Sequence, residues 1–182
     1  EGFRISPALL LDAAHGVVLG DLLMRCLYRV RPYELTKGSA NALHRKWRDI
    51  CIDSLTSAHP KYSYARLCRG IVADFDAFPI DETLKKPRVG VVGEILVKYM
   101  PLANNHVVDL LEREGAEAVV PDLLDFFAAT IYEQDFKRTH FGKGRTASMV
   151  AKLGVPALQR MRRPAIEALK ASRRFAPPMA ID

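Results

Sequence analysis

Polar residues on either side of one predicted turn are the candidates for chemistry in this chain of 182 residues. Glu94 follows a valine-rich run, and Asn104, Asn105 and His106 stand just before a helical pattern. A carboxylate in such a turn can anchor a ligand or act as a general base, or it can accept N–H bonds from its own turn. Asn104 is favoured as a helix N-cap, which places the next two residues in the first helical turn. These four side chains form the predicted ligand site.

The segment 86–127 is predicted to hold these side chains at the edge of a small sheet. Residues 89–92 and 118–120 are short apolar runs that each stop at a turn residue, as strands do. Between them, apolar residues repeat at helical spacing over 107–111, and Gly115 is placed for a left-handed C-terminal cap. The pattern predicts a strand–helix–strand unit with parallel strands. Ligands of such sheets collect at the carboxyl ends of the strands, where the four candidates fall.

Common signatures of catalysis and metal binding are absent from the sequence. It contains no GxGxxG or GxxxxGK[ST] phosphate loop, no HExxH zinc motif and no GxSxG nucleophile elbow. Cys26, Cys51 and Cys68 match neither CxxC nor a ferredoxin-type ligand run. We therefore predict no metal site, no nucleophilic catalysis and no independent enzyme.

Helices are predicted on both sides of the strand–helix–strand segment. Their expected ranges are 7–30, 39–55, 62–77, 123–136, 146–153 and 156–173, with a glycine loop at 142–144 and an extended linker from 175. We divide the chain into a helical part, 1–80, and a βαβ part with a basic helical end, 86–182, together forming one compact domain. The predicted fold class is helix-rich α/β, with a Rossmann-like βαβ unit and a small parallel sheet flanked by helices.

A parallel pair of strands leaves two sheet edges unpaired. We expect these edges to be covered by the flanking helices, paired with a second copy, or completed by sequence beyond Asp182. The alternatives are therefore a buried helical cover, self-association through an exposed sheet edge, or a longer protein.

The net charge of +6 arises in the C-terminal part. Residues 137–174 contain eleven Lys or Arg against one acid, Glu167. Such a region can hold the phosphates of coenzyme A, an acidic partner domain or nucleic acid. Aromatic residues for base stacking do not alternate with the cations, so we expect no specific nucleic acid partner. A solvated or interdomain face is the favoured interpretation of Arg160, Arg162, Arg163, Arg173 and Arg174.

Residues 8–27 are the most apolar segment, but Asp12, His15, Asp21 and Arg25 interrupt them. A helix that spans a bilayer carries few or no charges, so we predict a helix buried on all sides and no membrane partner. Three cysteines without a pairing pattern fit a reducing compartment, and we expect a cytoplasmic protein.

Two segments resemble the 2-hydroxyacyl-CoA dehydratase family, most strongly its activase-related, dehydratase-like proteins. The first, residues 93–127, reads GEILVKYMPLANNHVVDLLEREGAEAVVPDLLDFF. The second, residues 16–43, reads GVVLGDLLMRCLYRVRPYELTKGSANAL and is similar to that family's glycine–aspartate helix and Arg-Pro-Tyr-Glu turn. Within this turn, Arg31 and Glu34 are interpreted as a structural pair.

The resemblance implies chemistry that this chain does not carry alone. Dehydratases of this family bind a [4Fe–4S] cluster through cysteines and receive an electron from an ATP-hydrolysing activase before removing water from a 2-hydroxyacyl-CoA. The family's cysteine segment follows the part that is similar here, so we expect the cluster and ATP elsewhere in a parent protein, of which this chain is an excised piece. We expect no cofactor in the chain itself.

Two functional hypotheses follow. In the first, the chain is a module of such a protein, inactive alone, which serves assembly or substrate-side binding. Its partner is then the remainder of the parent polypeptide or a dehydratase or activase subunit. In the second, it is a small-molecule binding module that uses Glu94, Asn104 and the basic C-terminal region to hold an acyl-CoA or another phosphorylated ligand.

Overall fold

The computed structural model describes residues 6–130 and 145–178, and the side chains of the last helix from residue 156 onward. Helices dominate this part of the chain, and two short strands form one sheet. In chain order the elements are α1 Pro7–Val30, a 3₁₀ turn Arg31–Tyr33, α2 Ser39–Thr56, α3 Tyr64–Asp76, β1 Arg88–Gly90, α4 Ile95–Tyr99, α5 Val107–Arg113, β2 Glu117–Val119, α6 including residues 123–130, and α7 Arg145–Ala171.

The two strands pair in parallel, with Arg88 opposite Glu117 and Gly90 opposite Val119. The Val91 amide extends the ladder by donating to the Val119 carbonyl at 2.9 Å. The prediction of a helix-rich α/β fold with a small parallel sheet is confirmed. Both strands are assigned slightly earlier than predicted, at 88–90 and 117–119.

The connection between the strands contains two short helices, where the sequence predicted one. α4 ends at Met100, whose backbone is extended. Asn105 and His106 then take left-handed φ angles of 53° and 54°. A right-handed helix cannot continue through such residues, so α5 starts anew at Val107. The left-handed φ predicted for Gly115 is confirmed at 85°.

One apolar cluster joins the helices of both parts of the chain. It is built by α1, α2 and α3 with residues of α6 and α7, and its fully buried members include Leu19, Cys26, Val30, Leu67, Cys68, Ile71 and Phe75. Ala165, Ala168 and Leu169 of α7 are buried in the same cluster. The apolar side of the basic C-terminal part therefore packs among the N-terminal helices.

A second, smaller cluster lies under the sheet. Val91, Ala118 and Val120 are buried there against Met24 and Tyr28 of α1. Because α1 also contributes to the larger cluster, this one helix supports both the helical core and the sheet.

α1 is only partly a core helix. Its second half is buried, whereas Leu10 near its start is 59% exposed, so the prediction of burial on all sides is wrong for its first two turns. By length and composition, the segment Pro7–Tyr33 could cross a membrane. An 18-residue window within it has a mean hydropathy of 1.4, and 28% of that window is buried. Core helices of soluble proteins and signal sequences have the same properties.

The C-terminal helix differs from its prediction. α7 continues from Arg145 to Ala171 through Pro156 and Pro164, so the predicted boundary before Pro156 is wrong. A proline removes one helical hydrogen bond and crowds the preceding turn, but a helix that is packed on its neighbours can absorb that cost. The end of the helix predicted for 123–136, the loop at 142–144 and the last residues of the linker lie outside the described residues.

We predict that Gly70→Ala destabilises the protein, because a Cβ there would overlap with Cη2 of Trp47. The indole cannot move away freely, since its N–H donates to Asp74 at 2.9 Å. The expected loss is about 1–3 kcal/mol in the free energy of unfolding, measured by urea titration. Gly20→Ala is the matched control: no atom lies within 4 Å of the position that a Cβ would take there, and alanine should stabilise α1 by up to about 1 kcal/mol. Equal stability of the two variants would contradict this packing.

Candidate functional site

A row of polar contacts connects α1 and the turn after it to residues 112–124. Asp21, Arg25 and Arg29 are four residues apart and therefore share one face of α1. We call the whole set the interlock. Its members on the α1 side are Asp21, Arg25, Arg29, Arg31 and Tyr33, and their partners are Glu112, Glu117, Asp122 and the amides of Leu123 and Leu124.

Glu117, the first residue of β2, is the most buried carboxylate of the interlock, at 2% exposed. It accepts hydrogen bonds from Arg29 at 2.6 Å, from the Tyr33 hydroxyl at 2.9 Å and from Arg88 of β1 at 3.0 Å. Burial and the hydrogen bond to Glu117 raise the pKa of Tyr33, so its hydroxyl stays protonated and donates. The two strands and α1 are thus joined at the amino end of the sheet.

Asp122 forms the equivalent junction beyond the carboxyl end of β2. It is 4% exposed and accepts from Arg25 at 2.7 Å and from Arg162 of α7. Arg162 also donates to Asp125. The interpretation of Arg162 as a solvated or interdomain residue is therefore wrong, because two carboxylates draw it into the interior of this chain.

Arg174 also differs from the sequence interpretation. Its guanidinium donates to the carbonyl oxygens of Phe75 and Phe78 at 2.9 and 2.7 Å. Phe75 lies in the last turn of α3 and Phe78 just beyond it, and the C-terminal end of a helix favours a cation. Arg160, Arg163 and Arg173 are exposed, as predicted for that face.

Asp21 binds the start of α6. Its two oxygens accept from the backbone amides of Leu123 and Leu124 at 2.8 and 2.9 Å. A carboxylate suits this position because the first amides of a helix have no partner within the helix. Burial nevertheless raises the pKa of Asp21 to about 6, and the two amide hydrogen bonds only partly offset that effect.

Arg31 and Glu34 do not form the predicted pair. Arg31 donates to both oxygens of Glu112 on α5, at 2.7 and 2.9 Å. Glu34 accepts from the amides of Gly38 and Ala40 at 2.7 and 2.8 Å. Each residue has a structural role, but Glu34 fixes the turn into α2, while Arg31 attaches α5 to the end of α1.

Glu94 and Asn104, two of the predicted ligand residues, are bonded to the local backbone. Glu94 is the N-cap of α4 and accepts from the amides of Leu96 and Val97 at 2.8 and 3.1 Å. Asn104 donates to the Val97 carbonyl at 2.8 Å and accepts from the Val107 amide at 3.2 Å. Both side chains thereby hold the two short helices in place.

Asn104 and His106 lie together in a small cavity beyond the carboxyl ends of the strands. The cavity has a volume of about 210 Å³ and is also lined by Arg31, Lys98 and Tyr99. Glu94 and Asn105 are not among its lining residues. The structure therefore brings two of the four predicted residues to one cavity.

The three cysteines do not fit as ligands of an iron–sulfur cluster. All three thiols are buried in the apolar helical core. Burial raises the pKa of Cys51 to about 11 and that of Cys68 to about 12, and it raises that of Cys26 further. Cluster ligands are thiolates, which this environment disfavours. Among the described residues, no group of three or more His, Cys, Asp or Glu is placed to hold a metal ion.

The sequence interpretation did not identify the interlock. A signal was present, because Arg25 and Arg29 lie one turn apart on a mainly apolar helix. Glu112, Glu117 and Asp122 follow one another at intervals of five residues around β2. Charges on a core helix need partners, and acids bordering a buried strand are candidates for that role.

Comparison of the chain with models of protein families, with curated proteins and with solved structures gives no match.

We predict that Asp21 makes stability depend on pH between 4 and 7. Its pKa is raised in the folded protein to about 6, so its contribution is fully present below about pH 4 and is lost as the pH rises through 6. The free energy of unfolding of the wild type, minus that of Asp21→Asn, should fall by roughly 2–3 kcal/mol over this range. Urea titrations at each pH measure the difference. Asp49→Asn removes an exposed carboxyl as the control, and a pH-independent difference for Asp21→Asn would refute the prediction.

We predict a measurable coupling between Arg31 and Glu112, whose side chains are only 15% and 14% exposed. A double-mutant cycle of Arg31→Met and Glu112→Gln should give about 1–3 kcal/mol of coupling, because each single change leaves a half-buried polar partner unsatisfied. The exposed pair Arg48 and Asp49 serves as control and should couple by about 0–0.5 kcal/mol. Equal coupling in the two cycles would show that the interlock adds nothing beyond surface attraction.

Proposed function

We propose that the chain is a domain of a 2-hydroxyacyl-CoA dehydratase-like protein of the activase-related type. In this proposal it is not catalytic alone and serves assembly or substrate-side binding in ATP-driven dehydration of an acyl-CoA. The supporting observation is the interlock, since its contacts run between the two segments that resemble the family, 16–43 and 93–127.

The partners of the interlock residues argue for a structural role. Arg25 and Arg29 are bonded to Asp122 and Glu117, and Asp21 is bonded to backbone amides. A general acid or base needs access to a substrate proton, and these polar atoms are already engaged inside the chain. This supports a module whose charged residues hold it in shape for a larger assembly.

The strands give the proposed assembly a place to attach. In this proposal β1 and β2 are part of a Rossmann-like unit that further strands complete. All three residues of β1 are exposed, and within the described residues β1 pairs only with β2. Its outer edge suits a strand from the remainder of the parent polypeptide, from a dehydratase or activase subunit, or from a second copy.

The cofactors of the family belong, in this proposal, to other segments of the parent. A [4Fe–4S] cluster would supply one-electron chemistry and ATP would drive its reduction, neither of them at residues of this chain. We propose a cytoplasmic location, with no membrane and no specific nucleic acid as partner.

A second candidate function is small-molecule binding at the carboxyl end of the sheet. The cavity containing Asn104 and His106 supports it, because Lys98 adds a positive charge beside these polar side chains, while Arg31 is paired with Glu112 and the lining residue Asp109. Its volume of about 210 Å³ is below that of drug-sized ligand sites, about 300–1,000 Å³. It would hold one end of an acyl-CoA or a single phosphoryl group.

Calorimetry with a 2-hydroxyacyl-CoA thioester separates the two candidates. If the chain is a structural domain, the isolated chain should bind weakly or not at all, and binding should appear when the flanking sequence of its reading frame is restored. If it is a binding module, the isolated chain should bind, and Asn104→Ala and His106→Ala should each weaken binding about tenfold, the loss of one hydrogen bond to a charged group. Asn105→Gly is the control, because glycine keeps the left-handed backbone at a residue outside the cavity.

Extending the reading frame on both sides tests the domain proposal independently. We expect an activase segment or the cluster-cysteine segment in the same frame or in an adjacent one. The proposal would be contradicted by two results together. The extended and adjacent frames would contain neither segment, and no dehydratase or activase would co-purify with the tagged chain from its own cells.

A further inference from the structure

A cleft rich in cationic side chains lies at the amino end of the sheet, opposite the cavity described above. Its volume is about 620 Å³. It opens between the 3₁₀ turn, the segment leading into β1, the start of β2 and the residues after α7. Its basic lining residues are Arg29, Lys85, Lys86, Arg88, Arg173 and Arg174.

The acids in this cleft are mostly engaged with donors of the chain itself. Asp76 accepts from the Ser172 hydroxyl at 2.6 Å and from the Arg174 amide at 3.1 Å. Asp81 accepts from the amide and hydroxyl of Thr83 at 2.9 and 2.6 Å. The remaining acids are Glu117, which is held between two arginines, and Glu82, whose side chain is 82% exposed.

The cationic side chains of the cleft, in contrast, still have N–H donors available for a ligand. Arg88 bonds Glu117 through Nε, and its side chain is 66% exposed. Arg29 bonds Glu117 through one terminal nitrogen and is 36% exposed. Within the described residues, Lys85, Lys86 and Arg173 form no ion pair. The cleft thus offers two groups of donors: the arginines beside Glu117 and the adjacent lysines.

We propose that this cleft binds a small molecule that carries a diphosphate group. Arg29 and Arg88 present planar guanidinium donors to one phosphoryl group, and Lys85 and Lys86 neutralise the other as point charges. The volume of about 620 Å³ lies within the range of small-molecule sites, about 300–1,000 Å³. The site is separate from the cavity of the second candidate function and does not depend on the family resemblance.

The lining favours a small molecule over nucleic acid. The aromatic ring in the cleft, Tyr33, is covered by Arg29 at 5.4 Å and by Lys86 at 5.8 Å from its centre. That ring face is therefore not open for a base to stack on, as single-stranded nucleic acid would require.

Calorimetry with inorganic diphosphate at about 150 mM salt tests the proposal, since nonspecific surface attraction is strongly screened there. We expect diphosphate to bind at least tenfold more tightly than inorganic phosphate, and the double variant Lys85→Ala, Lys86→Ala to weaken it at least tenfold. The control double variant Lys37→Ala, Lys61→Ala removes the same charge from exposed positions outside the cleft. It should change affinity less than twofold.

Circular dichroism establishes that both double variants fold before their affinities are compared. Equal losses in the two double variants would show general electrostatics and overturn the proposal. No binding at this salt concentration, or equal affinity for phosphate and diphosphate, would overturn it as well. Displacement of diphosphate by a short single-stranded oligonucleotide that binds more tightly would identify a nucleic acid surface instead. Coenzyme A also contains a diphosphate, so a thioester that binds through this cleft would lose affinity in the Lys85→Ala, Lys86→Ala variant but not in Asn104→Ala or His106→Ala, and these variants keep the two sites distinguishable.

Discussion

The charged face of α1 is the constraint on which the rest of the structure depends. The other faces of its second half lie in the apolar core, so Asp21, Arg25 and Arg29 must find partners where the helix meets the sheet. A buried carboxylate that loses its partner costs several kcal/mol, which makes alternative placements of β2 unfavourable. Glu117 at the start of β2 and Asp122 beyond its end therefore fix the position of that strand along α1.

The small size of the sheet makes this anchoring necessary. Two strands of three residues form too few hydrogen bonds to be stable in water alone. Their apolar side chains gain burial on Met24 and Tyr28, and the ion pairs determine the register of that contact. Since α7 contributes Arg162 to Asp122, the C-terminal helix is tied to the same junction. Core packing and polar pairing thus both involve α1, which holds the sheet against the other helices.

Local patterns in the sequence were sufficient for most elements, but not for their polar partners. The first three helices and the parallel strands follow from apolar spacing and turn residues, and they lie within about two residues of the predicted bounds. Arg29 and Glu117 are 88 residues apart, and no short-range rule relates them. The same limit explains Arg31, whose partner is on α5 and not at the neighbouring Glu34. α7 shows the converse, since the helix continues through Pro156, a residue type that usually ends or kinks a helix.

The two ends of the sheet differ in what they can offer an anion. The expectation of a ligand at the carboxyl ends rests on free amides at helix N-termini. Here the carboxylate of Glu94 already accepts from the first amides of α4, and Asn104 accepts from the first amide of α5. The chain thus supplies its own acceptors where an incoming phosphate would bind. At the amino end the donors are instead the side chains of Arg29, Arg88 and the adjacent lysines. The side-chain donors proposed to bind an anion therefore lie at the amino end of the strands, whereas the helix amides at the carboxyl end are paired within the chain.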